Sequence, residues 1–117
     1  MDKTLAEKIV KILDEKKATD IVALEISSLT VVADYFVIAS ATSNTHLKAL
    51  ADEVEYRLGL EGIEPNHIEG KATGWILLDY GMTVVHLFQT EAREYYNLER
   101  LWDDGARLDI SHLITEN

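Results

Sequence analysis

Cysteine is absent from the chain, and proline occurs once, at Pro65. Without cysteine, neither a disulfide scaffold nor a thiolate metal site can form. Long apolar runs are also missing, and none approaches the length that spans a membrane. The amino end, MDKTLAEKIVKIL, is charged throughout and lacks the unbroken apolar core of a signal peptide. We therefore expect a soluble, cytoplasmic protein with no membrane partner.

Positive charge is scarce as well: 11 Lys and Arg stand against 21 Asp and Glu, a formal net charge of -10. Binding to nucleic acid depends on clustered Lys and Arg, so we expect no direct or sequence-specific contact with it. The same negative field favours a basic partner, such as a ribosomal protein, and speeds its encounter. Taken alone, the charge is more simply explained by solubility.

The 117 residues suffice for one domain with its own core. Apolar residues at helical spacing predict two amphipathic helices, over residues 3–16 and over residues 47–58. Alternating or short apolar runs predict strands at 21–26 and 35–39. A further short segment lies around 67–69.

A hairpin over 75–88 and a last helix that opens at Glu91 complete the order α-β-β-α-β-β-β-α. This order predicts a single-domain α/β sandwich, with one mixed β-sheet and helices on its faces. The tight turn requires the two hairpin strands to be antiparallel. Residues 103–117 show only weak periodicity, and we expect them to form a loosely packed or flexible C-terminal tail.

The hairpin, WILLDYGMTVVHLF, has its turn at Tyr80-Gly81-Met82. Alternation places Trp75 and Asp79 on one face and Tyr80 on the other. Trp and Tyr often anchor protein interfaces, but the local pattern favours core packing for Trp75 and exposure for Tyr80. Met82 is unusual beside a turn, and an exposed, adaptable apolar side chain there indicates a contact.

Signatures of catalysis and of metal or phosphate binding are missing. No G-x-S-x-G occurs, and neither Glu25 nor Asp79 has a second carboxylate two residues away on its strand. The polar loop at 40–46 has no glycine, so helix capping explains it better than phosphate binding. The histidines lack metal-binding spacing, and His86 is interpreted first as a hydrogen-bonded structural residue and second as a surface contact. We expect no enzyme activity, cofactor or metal.

Five segments, in this order and spacing, resemble the Iojap family of ribosomal silencing factors. They are DYFVIASATSNTH (34–46), EG (69–70), WILLDYG (75–81), VVHLF (84–88) and REYYNLERLW (93–102). The resemblance runs from about residue 4 to Trp102, which gives a family domain over 1–102 and a separate tail over 103–117. No single segment is diagnostic, but the combination is highly specific.

The resemblance implies a nucleotidyltransferase-like α/β fold, without the Gly-Ser loop and D-x-D motif of that superfamily's catalysts. It also implies binding to ribosomal protein L-fourteen on the large ribosomal subunit, where a bound family member sterically blocks joining of the small subunit. This blockage represses translation under nutrient limitation. Some family members assist assembly of the large subunit instead, and several form homodimers.

When the family's contact positions are carried over to this sequence, the resemblance implies a partner-binding surface centred on Trp75, Asp79 and Tyr80. Glu69 and His86 are weaker members of the predicted site. Where the family commonly has Asp after the turn glycine, this chain has Met82, which we include in the site as an apolar contact. The competing hypothesis is a divergent nucleotidyltransferase-like enzyme, which would need the carboxylate pair that the sequence lacks.

Overall fold

The computed structural model describes residues 3–70, 74–96 and 106–114. Its helices and strands follow the predicted order with two additions near the carboxyl end. They are α1 Thr4–Glu15, β1 Thr19–Glu25, β2 Tyr35–Ala41, α2 Asn44–Gly59, β3 His67–Glu69, β4 Trp75–Asp79, β5 Thr83–Gln89, α3 Thr90–Tyr96, β6 Ala106–Arg107 and a 3-10 helical turn Ser111–Leu113.

The polar loop before α2 caps that helix, as its composition predicted. The backbone N–H of His46 donates to Oγ of Ser43 at 3.1 Å, which satisfies one of the free N–H groups at the first turn. The helix then buries a stripe of apolar side chains at helical spacing: Leu47, Leu50, Ala51, Val54 and Leu58. The loop therefore positions a core helix.

The six strands form one sheet in the order β3-β4-β5-β2-β1-β6. The pair β2–β5 is parallel, and the other four neighbouring pairs are antiparallel. The predicted α/β sandwich with a mixed sheet is therefore confirmed. In the antiparallel hairpin, Leu77 lies opposite His86, and Asp79 lies opposite Val84.

The two faces of the sheet are covered differently. Helices α1 and α2 pack on one face, where Val37, Ile76 and Leu87 belong to the larger apolar core. On the other face a smaller apolar cluster includes Phe88, and Ala92 of α3 packs against it. Among the described residues, helix α3 thus packs on this second face at the end near Phe88.

Helix α3 is held by a buried arginine. The guanidinium of Arg93 donates from Nη1 to Oγ of Ser40 at 2.9 Å and also to the carbonyl of Asp20. Both partners lie on neighbouring strands, so the arginine ties α3 to the sheet. The helix predicted to open at Glu91 is present as Thr90–Tyr96, and residues 97–105 lie outside the described residues.

Part of the segment expected as a tail packs on the domain. Strand β6 pairs with β1, and the N–H of Leu108 donates to the carbonyl of Ala23 at 2.9 Å. Ile110 is buried in the larger core. The described residues 106–114 thus contact the domain through a two-residue strand and the buried side chain of Ile110. Such short elements produce no detectable periodicity in the sequence. The predicted division of the chain after residue 102 stays a prediction.

Candidate protein-binding surface

The hairpin turn is built around Gly81. The N–H of Tyr80 donates to the carbonyl of Thr83 at 3.0 Å, which closes the loop between β4 and β5. Gly81 has a φ of 89°, a left-handed conformation that glycine adopts without steric cost. Its N–H donates to Oδ1 of Asp79 at 2.7 Å. The turn therefore fixes the Asp79 carboxylate at the end of β4.

Side chains from four neighbouring strands meet on the second face of the sheet, which we call the open face. Side chains along each strand point alternately to the two faces of the sheet, and the residues that define the open face all lie on the same side. They are Trp75, Leu77 and Asp79 on β4, His67 and Glu69 on β3, Val84 and His86 on β5, and Phe36 on β2. Four of the six predicted site residues, Trp75, Asp79, Glu69 and His86, thus lie on one surface.

A concavity of about 360 Å³ lies on the open face, and its walls are mostly apolar. Phe36, Leu77 and Val84 belong to these walls, and His86 forms part of them. The loop that follows β1 borders the concavity through Val32. Val32 and its neighbour Val31 are 76% and 95% exposed. Such a cluster of apolar residues around a depression is typical of a surface that binds another molecule.

Acidic groups stand at the β3 side of the concavity. One Asp79 oxygen, Oδ2, lies 3.6 Å from Nδ1 of His67, and Oε2 of Glu69 lies 3.3 Å from Nε2 of the same ring. The Glu69 side chain is exposed, whereas that of Asp79 is three-quarters covered. The surface therefore combines an apolar centre with carboxylates at its border, a pattern that suits a basic partner.

His86 is buried, with 4% of its surface exposed. Burial lowers the pKa of its imidazole to about 4, because the charged form would lose its hydration. The indole Nε1 of Trp75 donates to Nδ1 of His86 at 3.3 Å, and the Phe36 ring packs edge-to-face with its centroid 4.6 Å away. The structural interpretation of this histidine, as a hydrogen-bonded residue, is therefore confirmed.

Trp75 is half-buried, so it belongs both to the packing and to the surface. Its ring stacks on Phe88 at 5.0 Å with an interplanar angle of 25°. The local sequence pattern had favoured core packing and the resemblance had favoured an interface. The partial exposure at the border of the smaller cluster is compatible with both.

The expected exposure of Tyr80 is wrong. Its ring packs against the core on the helix side of the sheet, and its hydroxyl is buried without a hydrogen-bond partner among the described residues. Burial, with smaller contributions from Glu55 and Glu64, raises its pKa to about 12. Alternation along β4 explains the position, since Tyr80 follows Ile76 and Leu78 onto that side. The structure therefore separates Tyr80 from Trp75 and Asp79.

Met82 is 47% exposed at the tip of the turn, as its position predicted. Its carbonyl accepts from the N–H groups of Asp34 and Tyr35, at 2.7 and 3.0 Å, so its backbone joins the hairpin to β2. Sequence reasoning missed that Phe36 and Val32 line the concavity and that Val31, next to Val32, is almost fully exposed. Phe36 lies in the short apolar run that predicted a strand at 35–39, and such a run does not show which side chains reach the surface. One signal in the sequence could have indicated the exposed valines: they are two adjacent apolar residues between a turn and a strand.

Within residues 3–70, 74–96 and 106–114, His, Asp and Glu side chains form no group of three or more that could hold a metal ion. In the same part of the chain, no helix has the length and apolar character needed to cross a bilayer. The open face presents apolar side chains, stacked rings, carboxylates and an imidazole.

Comparison with known proteins identifies the family. The family model described as "Ribosomal silencing factor during starvation" matches residues 2–117. The chain belongs to the RsfS family. The ribosomal silencing factor RsfS of Halalkalibacterium halodurans is 36% identical over 112 residues, covering 95% of this chain and 96% of that protein. A crystal structure of a Chromobacterium violaceum protein matches with a TM-score of 0.84 at 32% identity, and 88% of each chain is covered.

A mouse relative is named "Mitochondrial assembly of ribosomal large subunit protein 1". It is 37% identical over 98 residues, which cover 80% of this chain and 43% of the mouse protein. RsfS membership confirms the resemblance and gives the chain the general role of a ribosomal silencing factor. The family match also continues through residues 103–117, beyond Trp102, where the resemblance in the sequence was expected to end.

Proposed function

We propose that the chain binds ribosomal protein L-fourteen on the large ribosomal subunit through its open face. While bound, it blocks joining of the small subunit and so represses translation in the cytoplasm under nutrient limitation. The observation that carries this proposal is an apolar concavity of about 360 Å³ that Asp79 and Leu77 help to line, with half-buried Trp75 on the same face of β4. Family membership supports the choice of a ribosomal partner.

The charges and apolar groups of the open face suit a basic protein. The net charge of -10 attracts a basic surface over distance, and Asp79 and Glu69 offer acceptors for charge-assisted bonds from Arg or Lys. Trp75 and the apolar walls of the concavity supply the desolvated contact from which most binding energy arises. Steric blockage requires only occupancy of the subunit interface, so the mechanism needs no catalytic group.

The test is a titration of L-fourteen with the purified chain, followed by a subunit-joining assay. The informative variant is Asp79→Asn, because its amide oxygen can still accept from Gly81 N–H while the negative charge is lost. We expect about tenfold weaker binding, the cost of one charge-assisted hydrogen bond, and a parallel loss of blockage. Asp52→Asn, an exposed change on α2, serves as the matched control.

Two results would contradict the proposal: no binding of the unaltered chain to L-fourteen, or equal affinities for both variants. A circular-dichroism spectrum and a thermal melt of each variant show whether the fold is kept. Loss of blockage without loss of binding would leave L-fourteen as partner but reject occlusion as the mechanism.

An assembly role is the second candidate, and the name of the mouse relative favours it. In that case the same surface would hold the chain on immature large subunits. Sedimentation of cell extracts distinguishes the two roles. A silencing factor accompanies mature free large subunits, and its loss increases subunit joining during starvation. An assembly factor accompanies precursors, and its loss makes them accumulate during growth.

A further inference from the structure

One ring nitrogen of His86 has no hydrogen-bond partner in the part of the chain that the structure describes. The indole nitrogen of Trp75 can only donate, so the nitrogen that it meets, Nδ1 of His86, must be the unprotonated one. In a neutral imidazole the hydrogen then resides on Nε2. This nitrogen is buried and has no hydrogen-bond partner among the described residues.

A buried donor without an acceptor costs free energy, and folded proteins rarely keep one without a reason. Elsewhere on the same face, buried polar groups are paired, as Arg93 and Ser40 are. The edge-to-face contact of Phe36 with the imidazole compensates less than an oxygen acceptor would. A hydrophobic residue at position 86 would avoid this cost in the isolated protein.

The position of the histidine suggests a use for this donor. His86 forms part of the wall of the concavity on the open face, beside Leu77 and Val84. The border at Val32 is largely exposed, so a segment of a partner can reach the concavity without unfolding the sheet. Phe36, which packs edge-to-face with the imidazole, is half-buried and lines the same concavity.

We propose that His86 determines specificity by donating from Nε2 to an oxygen of the partner segment that enters this concavity. The occupant is a loop of the basic ribosomal protein that presents an apolar side chain to Leu77, a basic side chain to Asp79 and a carbonyl or amide oxygen to His86. The inference rests on the proposed function. It adds a directional hydrogen bond to a concavity whose other walls are mostly apolar. A loop without an oxygen at that position would leave the Nε2–H donor without an acceptor in the complex, so it would bind more weakly.

Two substitutions distinguish the effect of the Nε2–H donor from the effect of the imidazole ring as a whole. In His86→Asn the amide oxygen can take the place of Nδ1 and accept from Trp75, but no atom reaches the position of Nε2. In His86→Gln the amide nitrogen can take the place of Nε2 and donate. We expect His86→Asn to weaken binding to L-fourteen about tenfold, about 1.4 kcal/mol, and His86→Gln to stay within about threefold of the unaltered chain.

The experiment is a calorimetric titration of L-fourteen with both variants, with Trp75→Ala and with the surface control Tyr56→Ala on α2. Equal losses in the two His86 variants would show that the ring acts through packing and would overturn the proposal. Unchanged affinity of His86→Asn beside weakened Trp75→Ala would overturn it as well, while leaving the proposed function intact. If the unaltered chain does not bind L-fourteen, both proposals fail.

A spectroscopic measurement provides an independent readout. Long-range ¹H–¹⁵N correlation spectra of the free chain should show the Nε2–H tautomer of His86. Addition of L-fourteen should shift the Nε2 hydrogen downfield, as expected for a new hydrogen bond to oxygen. The Nδ1–H tautomer, or an Nε2 resonance that L-fourteen does not move, would contradict the assignment.

Discussion

The indole of Trp75 donates from Nε1 to Nδ1 of His86, 3.3 Å away across the β4–β5 hairpin. This bond fixes the tautomer of the histidine, because the indole nitrogen can only donate and Nδ1 must therefore accept. It also joins two residues that the sequence resemblance placed in the same site, one as a main contact and the other as a weaker one. The stacking of Trp75 on Phe88 holds the indole in position for it.

Trp75→Phe should separate the hydrogen bond from the packing. The smaller ring can still stack on Phe88, whereas the donor is lost, so we expect a loss of about 1 kcal/mol in the free energy of unfolding. Trp75→Ala also removes the ring and should cost about 3 kcal/mol, and it should weaken binding by about 1–3 kcal/mol. Urea unfolding measures the first quantity and calorimetric titration the second. Equal unfolding costs in the two variants would indicate that ring packing contributes nothing.

His86 should make the stability of the fold depend on pH between about 6.5 and 4. Its folded-state pKa is lowered to about 4 by burial, whereas the unfolded chain binds the proton near pH 6.5. The unfolded state therefore holds more protons in this window, and stability falls as pH falls. The pKa difference corresponds to up to about 3 kcal/mol.

Urea unfolding at pH 7, 5.5 and 4.5 tests this dependence in the unaltered chain and in His86→Asn. The variant lacks the titrating group and should lose less stability on acidification. Carboxylates also titrate in this range, so the difference between the two curves is the relevant quantity. Parallel curves would show that His86 does not contribute.

Tyr80→Phe should leave binding unchanged and should raise the free energy of unfolding by about 1 kcal/mol. The substitution removes a buried hydroxyl that has no hydrogen-bond partner among the described residues, and such a group is costly to bury. The ring packs on the helix-side core rather than on the open face. Binding weakened more than threefold in this variant would restore Tyr80 to the contact surface.

Strand periodicity alone predicted which hairpin side chains of this site share a face of the sheet. Alternation placed Trp75 and Asp79 together and Tyr80 on the opposite side, and the structure agrees. What alternation does not state is which side the helices cover. The position of Tyr80 beside the turn led us to expect exposure, but its ring packs against the larger core on the helix side of the sheet.

The remaining features depend on contacts between distant parts of the chain. Phe36 reaches the surface because β2 pairs in parallel with β5, and no local pattern specifies that pairing. Which nitrogen of His86 carries the hydrogen follows from the position of the Trp75 indole, and that position is known only from the three-dimensional structure. The strand at residues 106–107 is likewise defined by its pairing with β1 rather than by its own composition.

Gly81→Ala should destabilise the fold by about 1–2 kcal/mol, because φ at this residue is 89° and a Cβ atom is strained there. Space is not the cause, since an added Cβ would meet only Nδ2 of Asn66 at 3.6 Å. The matched control is Gly59→Ala at the end of α2, where the added Cβ would lie 3.4 Å from the flexible carboxylate of Glu64. Alanine favours helix over glycine, so we expect this control to gain up to about 1 kcal/mol.

The same turn substitution should also affect the partner surface, since the Gly81 N–H holds Oδ1 of Asp79 at 2.7 Å. A strained turn moves that donor and with it the carboxylate, so we expect Gly81→Ala to bind L-fourteen several-fold more weakly at a temperature where it is fully folded. Gly59→Ala lies on the helical layer and should bind normally. Thermal melts and calorimetric titrations of the pair measure both effects. Unfolding free energies that change equally in the two variants would contradict the role assigned to the left-handed turn.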